Sequence, residues 1–139
     1  MYLLDTNVLS EFRKLPSGRA DPGVEAWAEA HPLDECWLSA ITLKELEYGI
    51  LLVERRDAVQ GVVMRSWFDQ VLRDFSPRVL PVDGTVARRA ATLHVPDSAP
   101  EADAYIAATA LTHGMVMVTR NTKDFKRFAG LGLICPWTQ

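Results

Sequence analysis

The chain has 139 residues, a formal net charge of −3, and 48% hydrophobic against 24% charged residues. This balance predicts one globular domain, 1–139, and the net charge argues against a broadly basic surface for holding nucleic acid. No apolar run is long enough to span a bilayer, and no hydrophobic leader precedes the first acidic residue, so we expect a cytoplasmic protein without membrane contacts.

Short apolar runs alternate with helical stretches along the whole chain. The apolar runs are typical of parallel strands covered by helices on both faces, and they lie at 2–4, 36–38, 78–82, 115–118 and 132–134. Apolar residues at helical spacing predict helices between the strands, at 24–31, 43–51, 63–75, 85–94, 101–113 and 122–128. Gly114 is placed to end the helix 101–113. The alternation predicts a three-layer α/β fold with right-handed crossovers.

The first predicted strand runs directly into Asp5, Thr6 and Asn7. One interpretation is that Asp5 caps a helix, because its side-chain oxygens can accept the unpaired N–H groups of a first helical turn. The other is that a carboxylate at the end of a buried strand faces the crevice in which α/β folds bind ligands. This stretch alone leaves both interpretations open.

Further acidic residues stand beside the carboxyl ends of the later strands. Glu45 lies early in the helix after the second strand, Asp83 follows the third, and Asp124 follows the fourth. Asp103 lies in the first turn of the helix that leads into the fourth strand. Helix capping does not require an acid beside each of these successive strands, so the pattern favours a shared site.

Each of these acids also has a purely structural interpretation. Thr42 and Glu45 match a capping box, in which the glutamate reaches back to the helix start. Asp103 can stabilise the positive end of its helix dipole. Asp83 fits best as a helix N-cap, and we leave it out of the candidate site.

Cysteine and histidine do not form a recognisable metal or redox motif. Cys36 and Cys135 lie far apart in apolar surroundings, which favours buried reduced thiols. The three histidines share no ligand spacing; they are His31, His94 and His113. We expect the tryptophans on apolar stripes to be core residues, namely Trp27, Trp37 and Trp67.

Four blocks of the sequence occur in an order and spacing that identify a family. They are LLDTNVLSE (3–11), LSAITLKELEYG (38–49), DAYIAATAL (103–111) and VTRNTKDF (118–125). With them the chain resembles the PIN-domain nucleases, and most closely the VapC-type toxins of bacterial toxin–antitoxin pairs, down to CPW at 135–137. The resemblance implies a five-stranded parallel sheet of order 3-2-1-4-5, whose switch point lies between Asp5 and 119–124.

The resemblance also implies which residues carry the chemistry. The family's acids map onto Asp5, Glu45 and Asp103, while the fourth stays open between Asp124 and Asn121, where some relatives carry an acid. Carboxylates crowded together repel unless a cation neutralises them, and Mg²⁺ is the natural occupant of an all-oxygen site, with Mn²⁺ able to substitute. A metal so held can activate water and stabilise charge on a phosphodiester.

Polar residues beside these acids are candidates for supporting roles. They can orient acids or waters, and the arginine among them can contact phosphate; they are Thr6, Asn7, Thr119, Arg120 and Asn121. The basic segment RNTKDFKR (120–127) fits a solvated helix face and a phosphate-contacting patch equally well.

The function implied by the resemblance is a Mg²⁺-dependent endoribonuclease toxin with RNA as its substrate. By the same resemblance it is a homodimer, silenced by a small VapB-like antitoxin that covers the acidic pocket, and it meets DNA only through that antitoxin. A PIN-fold binding module with a decayed site remains the main alternative. A haloacid-dehalogenase-like phosphatase would need a second aspartate where Asn7 stands, and a receiver domain phosphorylated at Asp83 would need a second acid beside Asp5.

Overall fold

A computed structural model describes residues 1–138 and contains one five-stranded parallel sheet of order β3-β2-β1-β4-β5. Its strands are β1 (Tyr2–Leu4), β2 (Cys36–Ser39), β3 (Val79–Leu80), β4 (Val116–Val118) and β5 (Leu133–Ile134). The order confirms the topology that the resemblance implied. The strand order reverses between β1 and β4, which pair directly, so their carboxyl ends form the expected switch point.

Seven α-helices connect these strands within residues 1–138. They are α1 (Thr6–Phe12), α2 (Pro22–Ala30), α3 (Ala40–Arg56), α4 (Ala58–Phe75), α5 (Gly84–Thr92), α6 (Glu101–His113) and α7 (Thr122–Phe125). The prediction for α6 is correct at both ends, and Gly114 follows it in the left-handed conformation, with φ of 65°. The helix predicted at 122–128 is shorter, and β3 ends at Leu80 because Pro81 has no N–H for the sheet ladder.

Two hydrophobic clusters lie on opposite faces of the sheet. Leu4 belongs to the cluster with α1, α3 and α4, and Leu3 belongs to the cluster with α6 and α7. Neither leucine side chain is exposed, as expected for a strand covered on both faces. The three-layer α/β prediction is therefore confirmed, and it places the end of β1 between two packed helical layers.

Most predictions about single buried residues hold. Cys36 is a buried free thiol and Cys135 a partly buried one. The predicted core tryptophans are partly buried, and each packs against one of the two clusters; they are Trp27, Trp37 and Trp67. No helix among residues 1–138 has the length and apolar character needed to cross a lipid bilayer.

Helix caps correct one interpretation and confirm another. α3 begins directly after Ser39, whose Oγ accepts the Ile41 N–H at 3.0 Å. Thr42 therefore lies inside the helix and is buried, so the proposed capping box of Thr42 with Glu45 is wrong. Asp83 does cap α5, since its Oδ1 accepts the Val86 N–H at 2.9 Å.

Candidate active site

Asp5 lies at the switch point, directly after β1, and it is only 7% exposed. Its Oδ1 accepts the Thr6 N–H at 2.8 Å, so it caps α1. Its Oδ2 accepts the Thr119 hydroxyl at 2.7 Å and lies 3.3 Å from the donating Asn7 Nδ2. Asp5 is therefore both a helix cap and a carboxylate facing the crevice. The two interpretations of the first strand are compatible.

Burial raises the pKa of Asp5 above its ordinary value, and the negative charge of Glu45 adds to this rise. Hydrogen bonds from Thr119 and Thr6 act in the opposite direction because they stabilise the carboxylate. The site thus holds a desolvated acid whose charged form depends on two threonines.

Glu45 reaches the same region from α3. Its Oε1 accepts the Thr6 hydroxyl at 2.6 Å, and Thr6 Oγ1 lies 3.3 Å from Thr42 Oγ1. Thr6 therefore joins the helix that follows β1 to the helix that follows β2. The contact orients the glutamate toward Asp5 rather than toward the start of its own helix.

Asp103 is a partly buried residue in the first turn of α6. Its pKa rises to about 6, first because of burial and then because of the charges of Asp5, Asp124 and Glu45. Mutual repulsion of this kind requires the four carboxyl groups to be near neighbours. The residues that were predicted to form one acidic site therefore share one electrostatic environment.

A cavity of about 520 Å³ opens at this point. Its walls are formed by Asp5, Thr6, Asn7, Ser10, Glu11, Arg13, Lys14, Glu45, Asp103, Arg120, Asn121 and Trp137. Of the predicted site residues, Thr119 and Asp124 are not in the wall: Thr119 is fully buried and Asp124 is exposed on α7.

Within residues 1–138 no three acidic, histidine or cysteine side chains surround a common point closely enough to be preformed metal ligands. Asp5, Glu45 and Asp103 therefore line one cavity without forming a preformed coordination shell.

The segment after β4 is tied to the segment after β1. Thr119 Oγ1 accepts the Asn121 N–H at 3.0 Å, and Asn7 Oδ1 accepts the Arg120 N–H at 3.3 Å. All five polar residues predicted to support the acids are therefore near them, and four line the cavity.

The sequence interpretation missed five residues of the cavity wall, namely Ser10, Glu11, Arg13, Lys14 and Trp137. Trp137 is the one among them that contacts a predicted site residue through its ring. The Arg120 guanidinium lies over its ring at 5.4 Å, which fixes the arginine at the cavity mouth. The next residue, Thr138, donates its N–H and its hydroxyl to Asp21. Trp137 occurs in the CPW block, but no local pattern relates residue 137 to residue 21.

Glu11, on α1, is hydrogen-bonded to the same Asp21 that binds Thr138. Its Oε2 accepts the Asp21 N–H at 2.8 Å and its Oε1 accepts Lys14 Nζ at 3.1 Å. The bond from Asp21 is the main cause that lowers the pKa of Glu11. Asp21, which lies outside the cavity wall, thus connects two wall segments that are far apart in the sequence, the one at Glu11 and the one at Trp137.

Comparisons with known proteins agree with this geometry. The family described as PIN domain matches residues 2–131. VapC ribonuclease Y4jK of Sinorhizobium fredii is 39% identical, covering 99% of this chain and 98% of that protein. Toxin FitB of Neisseria gonorrhoeae is 38% identical, covering 99% of both.

Solved structures are similar over the whole chain as well. The crystal structure of FitAcB from Neisseria gonorrhoeae matches with a TM-score of 0.87 at 34% identity, covering 100% of both chains. The structure of FitAB bound to an IR36 DNA fragment matches with a TM-score of 0.85 at 33% identity, covering 100% of this chain and 97% of that one. The fold and the recognised family are therefore those predicted from the four sequence blocks.

Proposed function

Because this chain belongs to the PIN-domain family, we propose that it is a metal-dependent endoribonuclease toxin that hydrolyses RNA phosphodiester bonds. The observation that carries the proposal is the convergence of Asp5, Glu45 and Asp103 in one cavity at the sheet switch point. The names of its relatives, VapC ribonuclease and toxin FitB, support the RNA substrate and the toxin role. Membership in this family argues against the phosphatase and receiver alternatives.

The donor set of the cavity fits Mg²⁺ or Mn²⁺. Asp5, Glu45 and Asp103 offer carboxylate oxygens as ligands, and no cysteine or histidine in the described chain lines this cavity. Mg²⁺ binds through one or two carboxylates and keeps several waters, so loosely gathered acids suit it better than a closed cage would. When bound, the ion neutralises the acids, activates water and stabilises charge on the phosphodiester.

Asp5, Glu45 and Asp103 are the proposed metal-holding and catalytic residues. Hydrogen bonds from Thr119 and Thr6 favour the charged form of the Asp5 carboxylate and fix its position, and Thr6 also orients Glu45. A rigid, prealigned set of acids lowers the reorganisation needed during reaction.

The fourth acidic position is assigned to Asp124. Its charge acts on Asp103, although the side chain lies outside the cavity wall. Asn121 lines the cavity and supplies an amide in its place. We propose that Asp124 contributes its negative charge from outside the cavity wall, and that Asn121, which lines the cavity, binds substrate or water.

Arg120 is the proposed phosphate contact. Its guanidinium is held over Trp137 at the mouth of the cavity, and arginine presents paired donors that match phosphate oxygens. Asn7 anchors the backbone at this residue, so the contact is positioned from both sides.

The proposed partner is a small VapB-like antitoxin that covers the acidic pocket. Solved relatives are described as the FitAB complex bound to DNA and as VapBC complexes. By analogy with these DNA-bound complexes, the chain reaches DNA only through its antitoxin. The homodimer is proposed from the family resemblance alone.

The test is cleavage of RNA by the purified protein. We expect cleavage with Mg²⁺ or Mn²⁺ and none in EDTA, and we expect Asp5→Asn or Asp103→Asn to abolish it. Asp69→Asn, an exposed acid on α4, is the matched control and should cleave normally. Full activity of Asp103→Asn would refute the site, and a folded wild type that turns over no RNA would favour the binding module.

Expression in cells gives a second readout. The wild type produced without antitoxin should arrest growth, whereas Asp103→Ala should not. Equal toxicity of the two would mean that the arrest does not come from hydrolysis at this site.

A further inference from the structure

A second cavity, of about 830 Å³, lies between α5, the loop after α5 and the segment after α7. It is larger than the acidic cavity and has the opposite charge. Three arginines line it, Arg88, Arg89 and Arg127, and Asp97 is the single acid among its lining residues. In a chain of net charge −3, this concentration of guanidinium groups is a local exception.

Helix α5 presents part of this charge as a stripe. Thr85, Arg88, Arg89 and Thr92 are spaced as i, i+3, i+4 and i+7, and all four are exposed and line the cavity. The opposite face of the helix is buried through Val86 and Ala90, which pack with residues of α6. The stripe therefore cannot turn inward, and its polar groups remain available at the cavity.

Arg127 closes the other side of the cavity. Its guanidinium donates to the backbone carbonyl oxygens of Leu93, Asp97 and Ser98. Those bonds hold the loop after α5 but do not neutralise the positive charge. Among residues 1–138 none of the three cavity arginines forms an ion pair with a carboxylate, so their mutual repulsion is relieved best by a bound anion.

The two cavities are joined by one short segment. Asn121 lines the acidic cavity and Arg127 lines the basic one. The six residue steps from Asn121 to Arg127 can separate the two cavities by at most about 22 Å, and by less because α7 is helical. Exposed Lys123 and Lys126 lie on the same segment. A polyanion that enters the acidic cavity is therefore within reach of the arginines.

We propose that this arginine pocket, formed by Arg88, Arg89 and Arg127, binds backbone phosphates of the RNA strand beyond the bond that is cleaved. The inference rests on the proposed nuclease function and adds a second RNA-binding site to it. Arginine binds phosphate oxygens in bidentate fashion, and such contacts position a strand without reading its sequence. The site therefore strengthens binding of RNA of any sequence that extends past the acidic pocket.

The experiment compares Arg88→Gln/Arg89→Gln with a matched pair. Arg55→Gln/Arg56→Gln also removes two adjacent exposed arginines near the end of a helix, and these line neither cavity. Arg127 is left unchanged because it braces a loop. Binding of a labelled RNA of about 16 nucleotides, the upper range for one single-strand-binding module, is measured in EDTA at several salt concentrations. Thermal melts establish that both variants are folded.

Arg88→Gln/Arg89→Gln should bind RNA about tenfold more weakly than wild type, since two exposed ion pairs with phosphate are lost. The slope of log K against log salt should fall by about 1.4, because about 0.7 is expected per phosphate neutralised on a single strand. In Mg²⁺ the KM should rise while kcat stays the same. The Arg55/Arg56 variant should match wild type in all three measurements.

Equal RNA affinity and salt slope of wild type and Arg88→Gln/Arg89→Gln would overturn the proposal. So would an equal loss in the control pair, which would indicate a general charge effect. Selective loss of binding to polyglutamate, with RNA binding intact, would overturn it in favour of an acidic protein partner. A wild type that binds RNA but does not cleave it would refute the nuclease proposal, and the comparison of affinities would still decide the arginine pocket.

Discussion

Asp5, at the end of β1, has both a structural and a proposed catalytic role. One carboxylate oxygen caps α1, and the other accepts the Thr119 hydroxyl across the switch point. Burial raises the pKa of Asp5, and those two donors partly offset the rise because they stabilise the carboxylate. Substitution of the donor Thr119 therefore tests the site as directly as substitution of Asp5.

Thr119→Val should lower RNA cleavage strongly while the protein remains folded. Valine matches threonine in shape but removes the donor to Asp5, so the pKa of Asp5 should rise further and its charged form should become rarer. The unfolding free energy should fall by about 1 to 3 kcal/mol, because a buried carboxylate loses a hydrogen bond. Cleavage rates and denaturant unfolding measure the two effects.

Thr109→Val is the control for this substitution. Thr109 is equally buried, but its hydroxyl donates to the Tyr105 carbonyl within α6 and it does not line the acidic cavity. Activity should be retained there. If both valine variants lose activity alike, the role assigned to Thr119 is wrong.

Asp103→Asn should stabilise the metal-free protein at pH 7. The folded-state pKa of Asp103 is about 6 and its ordinary value is 3.8. Between these values the unfolded chain binds fewer protons than the folded one, so Asp103 lowers stability as pH rises through this window. The variant removes that loss, which is about 1 kcal/mol after allowing for partial exposure of the carboxyl.

Thermal melts in EDTA at pH 4 and pH 7 measure this effect. The variant should melt a few degrees above wild type at pH 7, and the difference should shrink toward pH 4. A variant that melts lower at pH 7 would mean that Asp103 mainly stabilises the start of α6 as a dipole partner.

At the scale of elements, the wall of the acidic cavity depends on how the C-terminal segment packs on α2. Asp21 caps α2 through the N–H groups of Gly23 and Val24, and it also accepts two hydrogen bonds from Thr138. A Cβ atom on Gly23 would overlap the Pro136 carbonyl oxygen. The segment with Pro136 and Trp137 can therefore pack this closely on α2 only because residue 23 is glycine.

Gly23→Ala should destabilise the protein by about 1 to 3 kcal/mol and reduce RNA cleavage, because the segment carrying Trp137 must move. Gly49→Ala is the matched comparison, since a Cβ on that helical glycine meets no atom within 4 Å. It should stabilise α3 by about 0.5 to 1 kcal/mol and leave activity unchanged. Denaturant unfolding and cleavage rates of both variants test this. Equal stability of the two alanine variants would contradict the packing argument.

At the scale of the whole molecule, the charges are separated into an acidic cavity and an arginine pocket joined by the segment after β4. Folding brings the acids together against their repulsion, and they are apart in the unfolded chain. A divalent cation that binds only the folded form must therefore stabilise the fold.

Mg²⁺ or Mn²⁺ should raise the melting temperature at pH 7 by several degrees beyond a monovalent salt of equal ionic strength. The gain is about 2.7 kcal/mol at a hundred times the dissociation constant. Asp103→Asn should respond less, since one oxygen ligand is weakened. A flat response of wild type would refute the metal site, whatever the cleavage assay shows.

The sequence by itself determined the alternation of strands and helices and two of the helix ends. Strand and helix signals depend on neighbouring residues, so the alternating pattern, the end of α6 at Gly114 and the cap at Asp83 were all predicted correctly. Apolar periodicity identified the buried faces but placed the starts of α3 and α4 too late. Their caps, Ser39 and Asp57, precede the first periodic apolar residues. The sheet order required the family resemblance, because periodicity says nothing about which strands pair.

Only the tertiary structure decided which side chains meet. The bonds from Thr119 to Asp5 and from Thr6 to Glu45 join residues 114 and 39 positions apart, and these contacts replaced the capping box that local spacing suggested. Trp137 and the arginine pocket depend likewise on the packing of distant segments. Local sequence sets backbone conformation within a few residues, whereas a cavity exists only after hydrophobic burial has fixed several elements against one another.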